Sequence, residues 1–207
     1  MNRRLRALAR RKQHAHTNGT KAMQLKASPN GHFLQYADGT PFFYLADTAW
    51  MLFNKLTEEE ARSLFADRAA KGFTVIQSVV FRDLFEPNTP NVSGVRPFLD
   101  EADMRVGRMN PDWIQHVVRI TCVAAEYGLF MGLLPTWGDK WNEHSNSAGP
   151  VIFNPDTGHR YCRLLSDALG TCQNVIWILG GDSPIVTQEH ADIVRAMAMG
   201  IREGASG

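Results

Sequence analysis

The chain has 207 residues, 44% hydrophobic and 21% charged, an ordinary balance for a globular protein with room for one sizeable domain or two small ones. No run approaches the 18 or more apolar residues of a spanning helix, and three cysteines without CxxC spacing (Cys122, Cys162 and Cys172) read as core or free thiols, not as a disulfide framework or zinc site. The net charge of +1 hides an asymmetry: residues 1–38 hold eight Lys/Arg against Asp38, for +7, while the rest hold fourteen against twenty acids, for −6.

The basic opening, residues 1–24, has no apolar h-region, so no secretory signal is legible and the compartment stays open. It is expected to be a disordered arm or an early start codon. A transit peptide or nucleic-acid arm is the lesser alternative, since no recognition fold follows, and neither a nucleic-acid nor a membrane partner is expected. From Gly31 the pattern becomes regular. Asp38-Gly39 between two apolar runs predicts a hairpin turn, followed by a strand over 42–47. Thr57 and Glu60 predict a capping box, with Leu56 and Ala61 as staple and Gly72 just past the helix end. The β-branched run "FTVIQSVVF" predicts a buried strand over 73–81.

Residues 82–109, with Pro87, Pro90, Gly94 and Pro97, form a connection long enough to suggest function or disorder. Asn110-Pro111 opens a helix that Gly128 closes. "LFMGLLPTW" predicts a strand over 129–136. Asn154-Pro155 opens the next helix, with Gly158 weakening its first turn. "NVIWILGG" predicts a strand over 174–181, and "TQEHADIVRAMAMGIREG" a closing helix. Near-continuous apolar strands alternating with amphipathic helices predict an α/β fold with a parallel sheet covered on both faces. A doubly wound open sheet and part of a (β/α)8 barrel both satisfy that order; no GxGxxG or GxxxxGK[ST] follows a strand to favour a nucleotide-binding sheet.

In either architecture chemistry gathers at the C-terminal strand ends. Those ends read "ADTAW", "QSVVFRD", "PTWGDKW" and "GGDSP". They supply Asp47 and Trp50, Gln77 and Arg82-Asp83, Trp137, Asp139, Lys140 and Trp141, and Asp182. Carboxylates beside indole rings suit carbohydrate, whose C–H faces stack on aromatics and whose hydroxyls pair with acids and amides. Glycoside cleavage needs one carboxyl group to protonate the leaving oxygen and usually a second to attack or to activate water. Partial desolvation at a buried strand's end would favour the proton-donating form. Each residue also has a plain structural reading: Asp47-Thr48 as a helix cap, Trp50 as helix-face core, Gln77 as a satisfied core amide, Gly138-Asp139 as turn chemistry, Asp182 as a turn opener. His116, His159 and His190 fall on helices at unrelated spacings, so neither a metal nor a cofactor is expected. No GxSxG elbow or Cys–His pairing stands out.

"PFFYLADTAWMLFNKLTEEEARSLFADRAAKGFTVIQSVVF", "GLFMGLLPTWGDKW", "IFNP" and "NVIWILGGD" together resemble the apiosidase-like glycoside hydrolases, the domain of glycoside hydrolase family 140, over about residues 25–185. The resemblance implies a (β/α)8 TIM barrel acting on glycosidic bonds in plant-type polysaccharide, some relatives removing apiose from pectin. It implies Asp182 as the general acid/base and a retaining mechanism, with Asp47, Trp50, Trp137, Asp139 and Lys140 as sugar contacts. The expected nucleophile, near a seventh strand, has no counterpart. Four βα units over residues 25–207 make half a barrel, so either the reading frame is incomplete, which is favoured, or two halves assemble. The alternative is an inactive carbohydrate-binding half-barrel.

Overall fold

The computed structural model describes residues 24–81, 88–143 and 150–205. Most of the basic arm and the pair Arg82-Asp83 therefore lie outside the described residues. The chain divides into two units, residues 1–44 and 45–207.

In the first unit β1 (Leu25–Ala27) pairs antiparallel with β2 (Leu34–Tyr36), Leu25 opposite Tyr36. The expected turn follows β2. Gly39 takes φ +92°, the Thr40 N–H donates to Asp38 Oδ1 at 2.9 Å, and the Tyr36 N–H donates to the Thr40 carbonyl at 2.8 Å. Asp accepting from the backbone two residues on, followed by Gly at positive φ, is what such a turn requires. The chain beyond it is not the strand expected from residue 42. It keeps a single bridge, Gln35 to Pro41, where proline has no N–H to continue a ladder. Phe43 is 73% exposed.

The second unit begins its sheet later than expected, with β3 (Ala46–Thr48), and continues through β4 (Val75–Val79), β5 (Phe130–Leu134) and β6 (Val175–Trp177). All four expected strands exist, each shorter than its apolar run. The spatial order β3-β4-β5-β6 is the chain order, and every neighbouring pair is parallel. A doubly wound sheet reverses its order at a switch point; this one does not. Right-handed crossovers between successive neighbours carry all their helices to one face, so the expectation of helices on both faces gives way to one helical layer.

That layer holds α1 (Leu52–Lys55), α2 (Glu58–Ala70), α3 (Glu101–Arg105), α4 (Pro111–Glu126), α5 (Pro155–Ala168) and α6 (Gln188–Gly204). The Thr57–Glu60 capping box opens α2, and Gly72 and Gly128 take positive φ just past α2 and α4. Asn110 caps α4 through the Asp112 N–H at 3.0 Å. Asn154 and Thr157 form a second, reciprocal box at the start of α5. Gly158 is there for contact: a Cβ at that position would lie 3.2 Å from the Met197 side chain of α6.

Strand register separates two faces. Ile76, Met131 and Leu133 join Trp113, Val117, Ile120, Tyr161 and Leu165 in the main core under the helices. Each fully buried side chain there contributes about 2 kcal/mol of burial. Gln77, opposite Thr48 on one side and Gly132 on the other, belongs to the other face with Val79 and Leu134. The long connection is not loose where described: Phe98 is fully buried edge-on to Phe81 at 5.2 Å, and the Asn110 N–H reaches the Pro97 carbonyl at 2.7 Å.

Candidate active site

Two helix side chains fix the C-terminal ends of the central strands. Trp113 of α4 donates its indole N–H to the Val80 carbonyl at 3.0 Å, just past β4. Tyr161 of α5 donates its hydroxyl to the Pro135 carbonyl at 2.6 Å, just past β5. Both are buried, and burial lifts the Tyr161 phenol well above its ordinary range, so it stays a donor.

Beyond Pro135 the chain makes a turn over Trp137–Asn142 that contains a 3₁₀ helix (Gly138–Lys140). Trp137 comes down on the non-helical face, packing with Val79, Leu134, Ile178 and Trp50. Trp50 and Trp137 meet edge to face, centroids 5.3 Å apart, the arrangement that aromatic quadrupoles favour. Trp50 is held in place through its backbone, whose carbonyl accepts the Val79 N–H at 3.3 Å.

The turn after β6, Gly180 to Pro184, closes onto the Trp137 turn. Gly180 and Gly181 have φ of +94° and +60°, values that exclude other residues without strain. A Cβ on Gly181 would lie 3.5 Å from the Trp137 ring, and one on Gly138 would overlap the Ser183 side chain. The Asn142 amide donates to the Pro184 carbonyl at 2.9 Å. Asp182 is thus carried on a turn locked against Trp137. Asp182 itself is exposed although Gly180, Gly181 and Ser183 around it are half-buried, so the expected desolvation is a correction: β6 ends the sheet among the described residues.

The other expected contacts divide. Trp50 and Trp137 come together, and Gln77 lies on the face where Trp137 packs. Asp47 does not join them. Its residue lies opposite Ile76, on the helical face, and its carboxylate is ion-paired with Arg68 of α2; Thr48 and Asp47 do not cap α1, whose cap is Met51. Asp139 and Lys140 are 2% and 1% exposed and pair with each other at 2.7 Å. Asp139 Oδ1 has no hydrogen-bond partner among the described residues. Lys140 also anchors the incoming chain, its carbonyl accepting the N–H groups of Ile152 and Phe153 at 2.8 and 2.9 Å. Trp141 is core, edge-on to His190 at 5.6 Å.

The sequence reading missed Gly138, Asn142 and Ser183 as positioning residues. The Gly in "TWGDKW" was a visible signal; a serine and an asparagine whose partners lie 42 or more residues away carry none. Two cavities, about 610 and 440 Å³, lie away from these strand ends, outside the sheet between α4, α5 and the residues around Arg108. His116, His159 and His190 face separate partners, Phe53, Glu203 and Glu143. Among the described residues no group of three or more His, Cys, Asp or Glu could hold a metal.

A family model described as "Apiosidase-like, catalytic domain" matches residues 28–207. No curated protein matches the chain. Among solved structures, a family 5 glycoside hydrolase from Bacteroides vulgatus is similar at TM-score 0.73 and 22% identity, over 89% of this chain and 38% of its own. A structure named "Glycoside hydrolase" is similar at TM-score 0.73 and 25% identity, over 88% and 39%. A GH5_18 variant from Streptomyces cattleya, in complex with Manb1-4GlcNAc, follows at TM-score 0.50 and 21% identity, over 73% and 38%. The chain thus spans less than two fifths of the length of each of these neighbours.

Proposed function

We propose that this chain, which belongs to the apiosidase-like catalytic-domain family, supplies the N-terminal half of a (β/α)8 barrel that hydrolyses glycosidic bonds, with Asp182 as its acid and base. The observation that carries the reading is the locked pair of turns: Asp182 rides on Gly180–Pro184, which is fastened by Gly138, Asn142 and Trp137 beside the Trp50–Trp137 pair. A proton donor held next to an aromatic face is the minimum a glycosidase needs on this side of its substrate.

In this reading a sugar ring lies against Trp50, the half-buried member of the pair that Trp137 holds from beneath, with Gln77 offering its amide to a hydroxyl. The Asp182 carboxyl gives its proton to the glycosidic oxygen as the C–O bond breaks, while a carboxylate about 5 Å away attacks the anomeric carbon. Asp182, now a carboxylate, takes a proton from the water that releases the sugar. Asp139 and Lys140, expected as sugar contacts, serve as the buried pair that fixes the Trp137 turn, and Asp47 anchors β3 to α2.

The attacking carboxylate and four further βα units are supplied from outside these 207 residues. Three things support this: among the described residues β3 and β6 each have a neighbour on one side only, a complete barrel takes about 250 residues, and the chain spans 38–39% of two structural neighbours. Family membership is what points to plant-type polysaccharide and its apiose side chains.

The test uses the protein completed by its remaining strands. Asp182→Asn should abolish hydrolysis with the fold intact by circular dichroism, and azide should restore turnover of a substrate with an activated leaving group, giving a glycosyl azide. Near-normal hydrolysis by the variant would remove Asp182 as the acid. Sugar binding without turnover by the completed wild-type protein would favour the carbohydrate-binding alternative.

A further inference from the structure

The cysteines raise a separate matter. Cys122 sits on the exposed side of α4, and Cys172 lies buried in the turn between α5 and β6. Their Sγ atoms are 2.7 Å apart, within about 0.7 Å of the length of a disulfide bond. The segments bearing them are already fastened together: Asn174 donates its amide to the Thr121 carbonyl at 2.9 Å and to the Leu129 carbonyl at 3.0 Å. One anchor follows Cys172 by two residues and the other precedes Cys122 by one, so little of the backbone has to move for the sulfurs to join.

We propose that Cys122 and Cys172 form a reversible intramolecular disulfide, with Cys122 as the attacking thiol and Cys172 as the resolving one. The oxidant is a low-molecular-weight disulfide such as oxidised glutathione. The Cys122 thiolate attacks one of its sulfurs, forming a mixed disulfide and expelling one thiolate. Cys172 gives up its proton and attacks Cys122 Sγ, expelling the second glutathione thiolate. Two protein thiols are oxidised, one external disulfide is reduced to two thiols, and the two protons lost by the cysteines end on the expelled glutathione thiolates. The order follows from access: Cys122 meets solvent, whereas Cys172 is held back by burial, which, with its hydrogen bond to Cys122, pushes its thiol up to about 12. Cys162, wholly buried in α5, takes no part.

The test incubates the reduced 207-residue chain with oxidised glutathione at mildly alkaline pH, then measures intact mass and counts thiols in denaturant. The wild type should lose about 2 Da and go from three titratable thiols to one, with peptide mapping joining Cys122 to Cys172. Cys172→Ala should stop at the mixed disulfide on Cys122, about 305 Da heavier. Cys122→Ser, a change at an exposed position, should keep both remaining thiols. Dithiothreitol should reverse every change. A wild-type chain that retains three thiols, accumulates the glutathione adduct, or maps its disulfide to Cys162 would overturn the proposal.

Discussion

Gly138 and Ser183 are packed so closely that even a single methyl group on Gly138 would overlap the Ser183 side chain. The two residues belong to different strand ends, so this contact sets where the Asp182 turn stands relative to Trp137. Gly138→Ala should therefore move Asp182, and in the barrel proposed above that displacement reaches the catalytic acid. We expect kcat to fall about 10–100-fold with KM little changed. Adding Ser183→Gly should restore most of the loss. Unchanged kinetics in Gly138→Ala would mean that the turn adapts freely.

The buried Asp139–Lys140 pair supports the same turn from beneath. Removing one charge leaves the other without compensation in the interior, which costs about 3–5 kcal/mol. Lys140→Met should show that loss in urea unfolding. Asp139→Leu with Lys140→Met together should recover much of it, since no lone charge is then buried. A single variant as stable as the wild type would show that water reaches the pair.

His116 makes stability depend on pH. Burial, the larger cause, and nearby Arg119 hold its imidazole below the ordinary value of 6.5, while the hydrogen bond to the Phe53 carbonyl and nearby Glu58 oppose them in part. With the folded value depressed, the neutral ring contributes stability that is present above pH 6.5 and is lost as pH falls through the folded value. Thermal midpoints should decline on acidification below pH 6.5, and His116→Gln should flatten that part of the profile. An unchanged profile in the variant would assign the decline to other groups.

Gly200 lets α6 lie directly on α5. A Cβ there would overlap the His159 carbonyl oxygen and sit 3.0 Å from the Arg163 nitrogen, both backbone atoms that cannot turn aside. Gly200→Ala should cost about 1–3 kcal/mol, although alanine is the better helix former by about 1 kcal/mol. A stabilised variant in denaturant unfolding would show that the helices separate without penalty.

Much of the fold was legible because its causes are local. Thr57 with Glu60, Asn110 with Pro111, and the glycines at positive φ each act within a few residues. The short apolar runs pointed to all four parallel strands. They overran the observed strands because hydrophobicity marks burial, and burial continues past the last hydrogen-bonded pair: Val80 and Phe81 are fully buried beyond β4. The 52–55 helix starts later than a cap at Asp47-Thr48 would place it, at Met51, because one turn carries too little periodicity to fix its bounds.

For the candidate site, the sequence by itself determined which residues stand in or just past the strands: Trp50, Gln77, Trp137 and the acid after two glycines. Tertiary structure alone decided what each faces. Asp47 and Gln77 look alike as polar residues within strands, yet one turns to Arg68 and the other lies opposite Gly132 on the non-helical face. The face a strand residue takes depends on pairing with a partner about 30 residues away, and a side chain's partner depends on helix packing further off still. Those long-range choices also bring Ser183 onto Gly138 and Cys172 onto Cys122, contacts for which no local pattern in the chain exists.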